Sequence, residues 1–85
     1  MERPYNLVYS EAAADCLLGL KRSRLEPLLY DLRMLADDPF VCPDYTVRDV
    51  AGHDVEHLLI SGFVVAFHLD HAVSELRILD ISDVS

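Results

Sequence analysis

The sequence predicts an α+β fold in which two helices pack on one face of a small, mainly antiparallel sheet. Three observations lead there. Apolar residues recur at helical spacing between residues 11 and 36, they alternate at period two from residue 55 onward, and a strand-like run, YNLVY, precedes the helices. Helices and strands are therefore segregated along the chain and not interleaved as in repeated βα units. The expected order is β-α-α-β-β-β, with one extra short strand before the last three that is either separate or an extension of the next.

Tyr5 to Tyr9 forms the first strand on this reading. Ser10 follows where an N-cap belongs, with Glu11 in the first helical turn. The helix EAAADCLLGLK places Ala13, Leu17 and Leu20 at i, i+4 and i+7, a stripe of helical period, and stops between Gly19 and Arg22.

Ser23-Arg24-Leu25-Glu26 matches the S/T-x-x-E capping box, in which each of the two polar side chains satisfies an unpaired backbone N–H. It predicts a second helix beginning at that serine, with Pro27 in its first turn where no intrahelical donor is lost. Leu25, Leu28, Leu29, Leu32, Leu35 and Ala36 then mark one broad apolar face, and Asp37-Asp38-Pro39 ends the helix. Residues 39 to 45, PFVCPDY, hold two prolines and no period and are expected to be a loop.

Four strand-like runs follow: Thr46 to Ala51, Val55 to Ser61, Phe63 to Asp70 and Ser74 to Ile81. Ser61-Gly62 and His71-Ala72 are their turns. In the third run Phe63, Val65, Phe67 and Leu69 fall on one face, while Val64, Ala66, His68 and Asp70 fall on the other. Leu76 and Ile78 join the first set as core, which turns Arg77 away from it.

Composition narrows the function. A chain of 85 residues suits one domain, expected to span residues 1 to 85, and 52% hydrophobic residues with three glycines and four prolines describe a packed globule. Fifteen acids against seven Lys plus Arg give a net charge of −8, which opposes nucleic acid as a direct partner and suits a basic protein segment. The apolar runs are too short and too interrupted by charge for a membrane span, which needs about 20 residues. MERPYNLVYS lacks the basic and apolar regions of a secretory signal, so a cytoplasmic location is expected. Cys16 and Cys42 make no CxxC pair and are expected to be thiols, Cys16 within the core.

Among chemistry-bearing residues, Glu56 and His57 are neighbours on a strand and so point to opposite faces. His57 can serve as an acid–base group only with a residue from another strand, Arg77 or Asp80 being the candidates. His68, Asp70 and His71 make an HxDH pattern that could hold a metal, but no HExxH or Cys/His pairing supports it, and a solvated strand end accounts for it. No cofactor and no resident metal is expected. The basic run Lys21-Arg22-Ser23-Arg24 fits a helix C-terminus complementing its dipole better than a phosphate site.

The opening YNLVYSEAAADCLLGL, the helix ending LADDP, the weak strand ending at Gly52, and the SGFVVAFHLD hairpin followed by ELRILDI together resemble the RelE/ParE superfamily of bacterial type II toxin–antitoxin toxins. The likeness rests on order and spacing over nearly the whole chain, with no single specific motif. It implies a small toxin neutralised by a cognate antitoxin, with translation, through ribosome-dependent mRNA cleavage, or DNA gyrase as the target.

In the nuclease branch an arginine commonly follows the aromatic residue of the hairpin. Here Gly62-Phe63-Val64 puts Val64 at that place, the preceding strand offers Asp54, Val55, Glu56 and His57, and ILDISDVS carries two acids and no aromatic. RNA cleavage needs cations around the phosphate and groups that take and give protons. The candidates that remain are His57 as acid–base group, Arg77 as anion contact, Glu56 as base and His68 as accessory polar group. The rival expectation is a non-catalytic interaction module on the same fold, binding a partner or dimerising through a sheet edge.

Overall fold

The computed structural model describes residues 4–40 and 43–84. Its elements are β1 (Asn6–Tyr9), α1 (Glu11–Leu18), α2 (Arg22–Asp37), β2 (Tyr45–Arg48), β3 (Asp54–Ile60), β4 (Phe63–Asp70) and β5 (Glu75–Asp83). The strands form one sheet in the order β1-β5-β4-β3-β2. β1 runs parallel to β5, and every other pair is antiparallel. The expected α+β architecture is present, and the extra short strand is a separate β2. Cys42 lies outside the described residues.

Ser10 joins the first strand to the first helix. Its backbone is extended, and its Oγ accepts the N–H of Ala13 at 3.0 Å while donating to the carbonyl of Leu79 on β5 at 2.6 Å. The N-cap thus also fixes α1 to the sheet. The helix ends at Leu18, earlier than its apolar stripe suggested, because Gly19 caps it with bonds back to Asp15 and Cys16. Cys16 is a half-buried thiol packed against the core.

The capping box expected at Ser23 does not form. The N-cap lies two residues earlier, at Lys21, whose carbonyl accepts the N–H groups of Arg24 and Leu25. Ser23 is already inside the helix, and Glu26 bonds Arg22 at 2.8 Å as an exposed i, i+4 pair. Pro27 is consequently the sixth helical residue and not part of the first turn. Leu28, Leu32, Leu35 and Ala36 make the buried face, whereas Leu29 sits exposed at its rim.

β4 is the middle of the sheet, and its alternation holds: Phe63, Val65 and Phe67 are fully buried beneath the helices, against Leu28, Leu32, Leu76 and Ile78. One irregularity decides what lies on the other face. Between Ala66 and Phe67 the β5 partner jumps from Asp80 to Ile78, so one extra residue, Leu79, is accommodated there. This bulge shifts the phase of β5, and the inward residues become Leu76, Ile78 and Ile81. Ser61 and Gly62 both have positive φ, 52° and 82°, as a two-residue hairpin turn requires. The other hairpin needs four residues, His71 to Ser74, and not the two expected.

Candidate functional site on the open face of the sheet

Helices cover one face of the sheet, so functional chemistry can be displayed on the other. There the register lines up Tyr45, His57, Ala66 and Asp80, one residue from each of β2, β3, β4 and β5. The adjacent row is Leu59, Val64 and Ser82. Tyr45, His57, Val64, Ala66, Asp80, Ser82 and Val84 line a shallow depression of about 300 Å³. The small side chain of Ala66 makes its floor.

The Tyr45 ring stacks on the His57 ring, with centroids 4.3 Å apart and planes 10° from parallel. His57 Nδ1 is buried and has no hydrogen-bond partner among the described residues. Asp80 is exposed, and one of its carboxylate oxygens accepts the Ile81 N–H at 3.0 Å. Hydroxyls, an imidazole and a carboxylate face this depression, but no Lys or Arg among the described residues lines it. Val64, at the position where the resemblance expects an arginine, is one of its apolar walls.

The expected pairing of His57 with Arg77 does not occur, because they lie in different register rows. Arg77 shares the open face but sits opposite His68 and Val8, beyond the bulge. Its guanidinium is held by Glu75 at 3.0 Å and Asp70 at 3.5 Å, two carboxylates against one cation. The other pairing considered, His57 with Asp80, places both on one depression. Glu56 pairs across the strands with buried Phe67 and so faces the helix side, away from His57.

His68 bonds the Asp54 carbonyl through Nδ1 at 3.0 Å, and its ring lies 5.3 Å from that of His53. With Glu56, Asp54 and His71 these rings border a second hollow of about 320 Å³. Among the described residues no three His, Cys, Asp or Glu side chains are grouped to hold a metal. His71 instead meets the Tyr5 hydroxyl through Nδ1 at 2.7 Å and stacks on Phe40.

The basic run between the helices also has structural partners. Arg24 lies over the Phe63 ring, 4.4 Å from its centroid, and bonds both carboxylate oxygens of Asp83 at 2.5 and 3.0 Å. Its pKa is raised, chiefly by the hydrogen bond to Asp83, so this cation ties α2 to β5. The expected helix C-terminal role is corrected: α1 ends at Leu18 with no basic residue in its last turn, and Lys21, Arg22 and Arg24 lie at the N-terminus of α2.

A second surface flanks α2. Met34, Leu35, Leu58, Leu59 and Ile60 form an apolar groove of about 490 Å³, bordered by Asp31, Asp38 and Ser61. β4 flanks Leu58 to Ile60 on one edge; on the other edge the pairing with β2 ends at His57, and the Asp44 carboxylate accepts the Leu59 N–H at 2.7 Å. Ser61 and Asp31 are hydrogen-bonded across the groove's end.

Tyr45 and the outward turn of Asp80 were hidden in the sequence. Tyr45 ends a proline-containing stretch, although its aromatic ring next to Thr46-Val47 is a β signal. Strict alternation from Leu76 and Ile78 carries Asp80 inward, and only the bulge reverses it.

No protein-family model and no curated protein matches this chain. Solved structures do. The chain is similar to a chain of the archaeal RelE–RelB complex from Pyrococcus horikoshii OT3, at 12% identity and a TM-score of 0.75, covering 95% of this chain and 96% of that one. A chain of the toxin–antitoxin complex RelBE2 from Mycobacterium tuberculosis gives 15% identity and a TM-score of 0.75, over 95% and 99%. A chain of the intact E. coli RelBE complex gives 16% and 0.66, over 95% and 98%. At these identities the likeness establishes the fold, which is that of RelE toxins.

Proposed function

We propose that this chain is the toxin-side component of a type II toxin–antitoxin module, bound and neutralised by a cognate antitoxin. The observation that carries the reading is the agreement in fold, over 95% of the chain, with structures solved as toxin–antitoxin complexes. Fold alone does not fix function, so the surface must agree as well. It does: an apolar groove with acids at its border suits an amphipathic segment with basic flanks, and the net charge of −8 favours the same partner.

Translation, by mRNA cleavage, and DNA gyrase are the targets that follow from this reading. The open face supplies the His57 imidazole and the Asp80 carboxylate, but cleavage also needs cations at the phosphate. Val64 and Ala66 occupy the centre of that face, and Arg77 is engaged by two carboxylates. That arrangement favours a second reading, a non-catalytic interaction module on the same fold.

Induced expression alone, and together with any small open reading frame adjacent to the gene, separates the readings. Growth arrest relieved by the neighbouring product, with a stable complex of the two, is the expected result for a toxin. A stable complex without arrest supports the module. Growth arrest that survives His57→Ala with Arg77→Ala removes these residues from the mechanism, and absence of any complex overturns the proposal.

A further inference from the structure

We infer that the depression floored by Ala66 is an acceptor for an arginine side chain of a partner polypeptide, its guanidinium on Asp80 and its stem lying over Ala66 toward the Tyr45–His57 stack. Nothing in the toxin reading requires this. It rests on that reading only for the source of the arginine, the antitoxin.

The first argument is shape. His57 and Asp80 stand two strands apart, about 9.5 Å at the usual strand spacing, with only the alanine methyl between them. A long unbranched side chain fits such a trough, with Val64 and Val84 as apolar walls for its methylenes. A folded apolar ligand would leave Asp80 and Ser82 against carbon.

The second argument is the donor–acceptor balance. The lining brings the Asp80 carboxylate, the Ser82 hydroxyl, the Tyr45 hydroxyl and the His57 ring, and no cation among the described residues. Asp80 has one oxygen on the Ile81 N–H, and His57 Nδ1 has no partner among the described residues. Asp80, an exposed residue, keeps carboxylate oxygen lone pairs that the Ile81 N–H does not use. A guanidinium brings five N–H donors in a planar fork and pairs with a carboxylate through two of them. An ammonium is more strongly hydrated and presents no planar fork to the Asp80 carboxylate. A phosphate would meet Asp80 with no neighbouring cation, and a single carboxylate beside one imidazole is too few ligands for a metal.

The bulge at Leu79 makes the site specific to this chain's geometry. Without the phase shift Asp80 would lie beneath the helices, and the open face would present no carboxylate opposite Ala66. Asp80 meanwhile stands clear of the Arg77 cluster, whose cation already belongs to Asp70 and Glu75.

The test uses blocked arginine, N-acetyl-arginine amide, titrated into the whole chain while backbone amide resonances are followed. N-acetyl-citrulline amide, which has the same shape and no charge, is the control. Saturable shifts centred on His57, Ala66, Asp80 and Ser82 are expected, at least tenfold weaker with citrulline and in Asp80→Asn. Val64→Arg places a resident cation on the face and should abolish the response while leaving the spectrum dispersed. Equal response to citrulline overturns the inference, as do shifts spread over Asp31 and Asp38 that persist unchanged in Asp80→Asn. No antitoxin enters this experiment, so its failure leaves the toxin–antitoxin proposal standing, and failure of that proposal leaves a positive titration intact.

Discussion

Ser10 shows how much one side chain can hold. Its hydroxyl accepts from Ala13 and donates to Leu79, so Ser10→Ala loses an N-cap and a bond between α1 and β5 together. A loss of about 1–2 kcal/mol is expected from the cap and the partly buried bond, read as a lower urea midpoint. Phe67 is a different case, fully buried in the middle of the sheet, and Phe67→Ala should cost about 3–5 kcal/mol. Asp49 acts through pH. Its carboxylate accepts the His53 N–H at 2.8 Å and the Ala51 N–H at 2.9 Å, and the His53 bond is the main reason its pKa is lowered. A folded value below the unfolded one means a stabilising contribution that is present above about pH 3.9 and is lost as pH falls through the lower folded value. Asn keeps an acceptor for the turn but cannot titrate. Urea midpoints measured near pH 6 and near pH 2.5 should therefore fall less in Asp49→Asn than in the wild type.

Elements were legible in proportion to how local their causes are. α1, β3 and β4 follow from side-chain period and turn residues, and Ser10 and Ser61-Gly62 mark boundaries that the structure keeps. The start of α2 differs because a capping box is a pattern of four residues, while the helix extends two residues further by using the Lys21 carbonyl. β2 was misplaced because its pairing with β3, Tyr45 opposite His57, is a relation between strands and leaves little trace within either. The same reason hid the bulge, which exists only in the register of β4 against β5. Of the candidate site, the opposite facing of Glu56 and His57 was legible from strand alternation, whereas the separation of His57 from Arg77 was not. Pro27 follows from the corrected helix start. As the sixth helical residue it withholds the N–H that would bond the Ser23 carbonyl, and it is exposed, so no core packing depends on its ring. Pro27→Ala should stabilise the protein by about 1 kcal/mol or more, measured by thermal and urea denaturation. A loss of stability on that substitution would mean that the ring restrains the unfolded chain more than it weakens the helix.

At the scale of the molecule, two features stand together: the fold of RelE toxins and a net charge of −8. Because β1 pairs with β5, the chain's described ends meet in one sheet and the helices are confined to one side, which leaves the opposite face free to carry chemistry. What that face carries here is acceptors. Asp70, Glu75 and Asp80 lie on it with Arg77 as a cation already engaged, and the groove by α2 adds Asp31 and Asp38. Charges spread over both surfaces act on an approaching partner through the solvent, within a screening length of about 10 Å at 0.1 M salt and about 3 Å at 1 M. Binding of a basic antitoxin segment should therefore weaken steadily as sodium chloride is raised, mainly through slower association, while the apolar groove contacts persist. Single-stranded RNA, whose affinity for proteins comes largely from released counterions, meets a chain of net charge −8 and should show no binding even at low salt. Surface plasmon resonance at 0.05 and 0.5 M sodium chloride, with the antitoxin peptide and an RNA oligomer as analytes, reads both. An RNA affinity that rises as salt falls would show that Lys21, Arg33 or another surface cation gathers phosphate despite the overall charge, and would restore the nuclease reading that Val64 argues against.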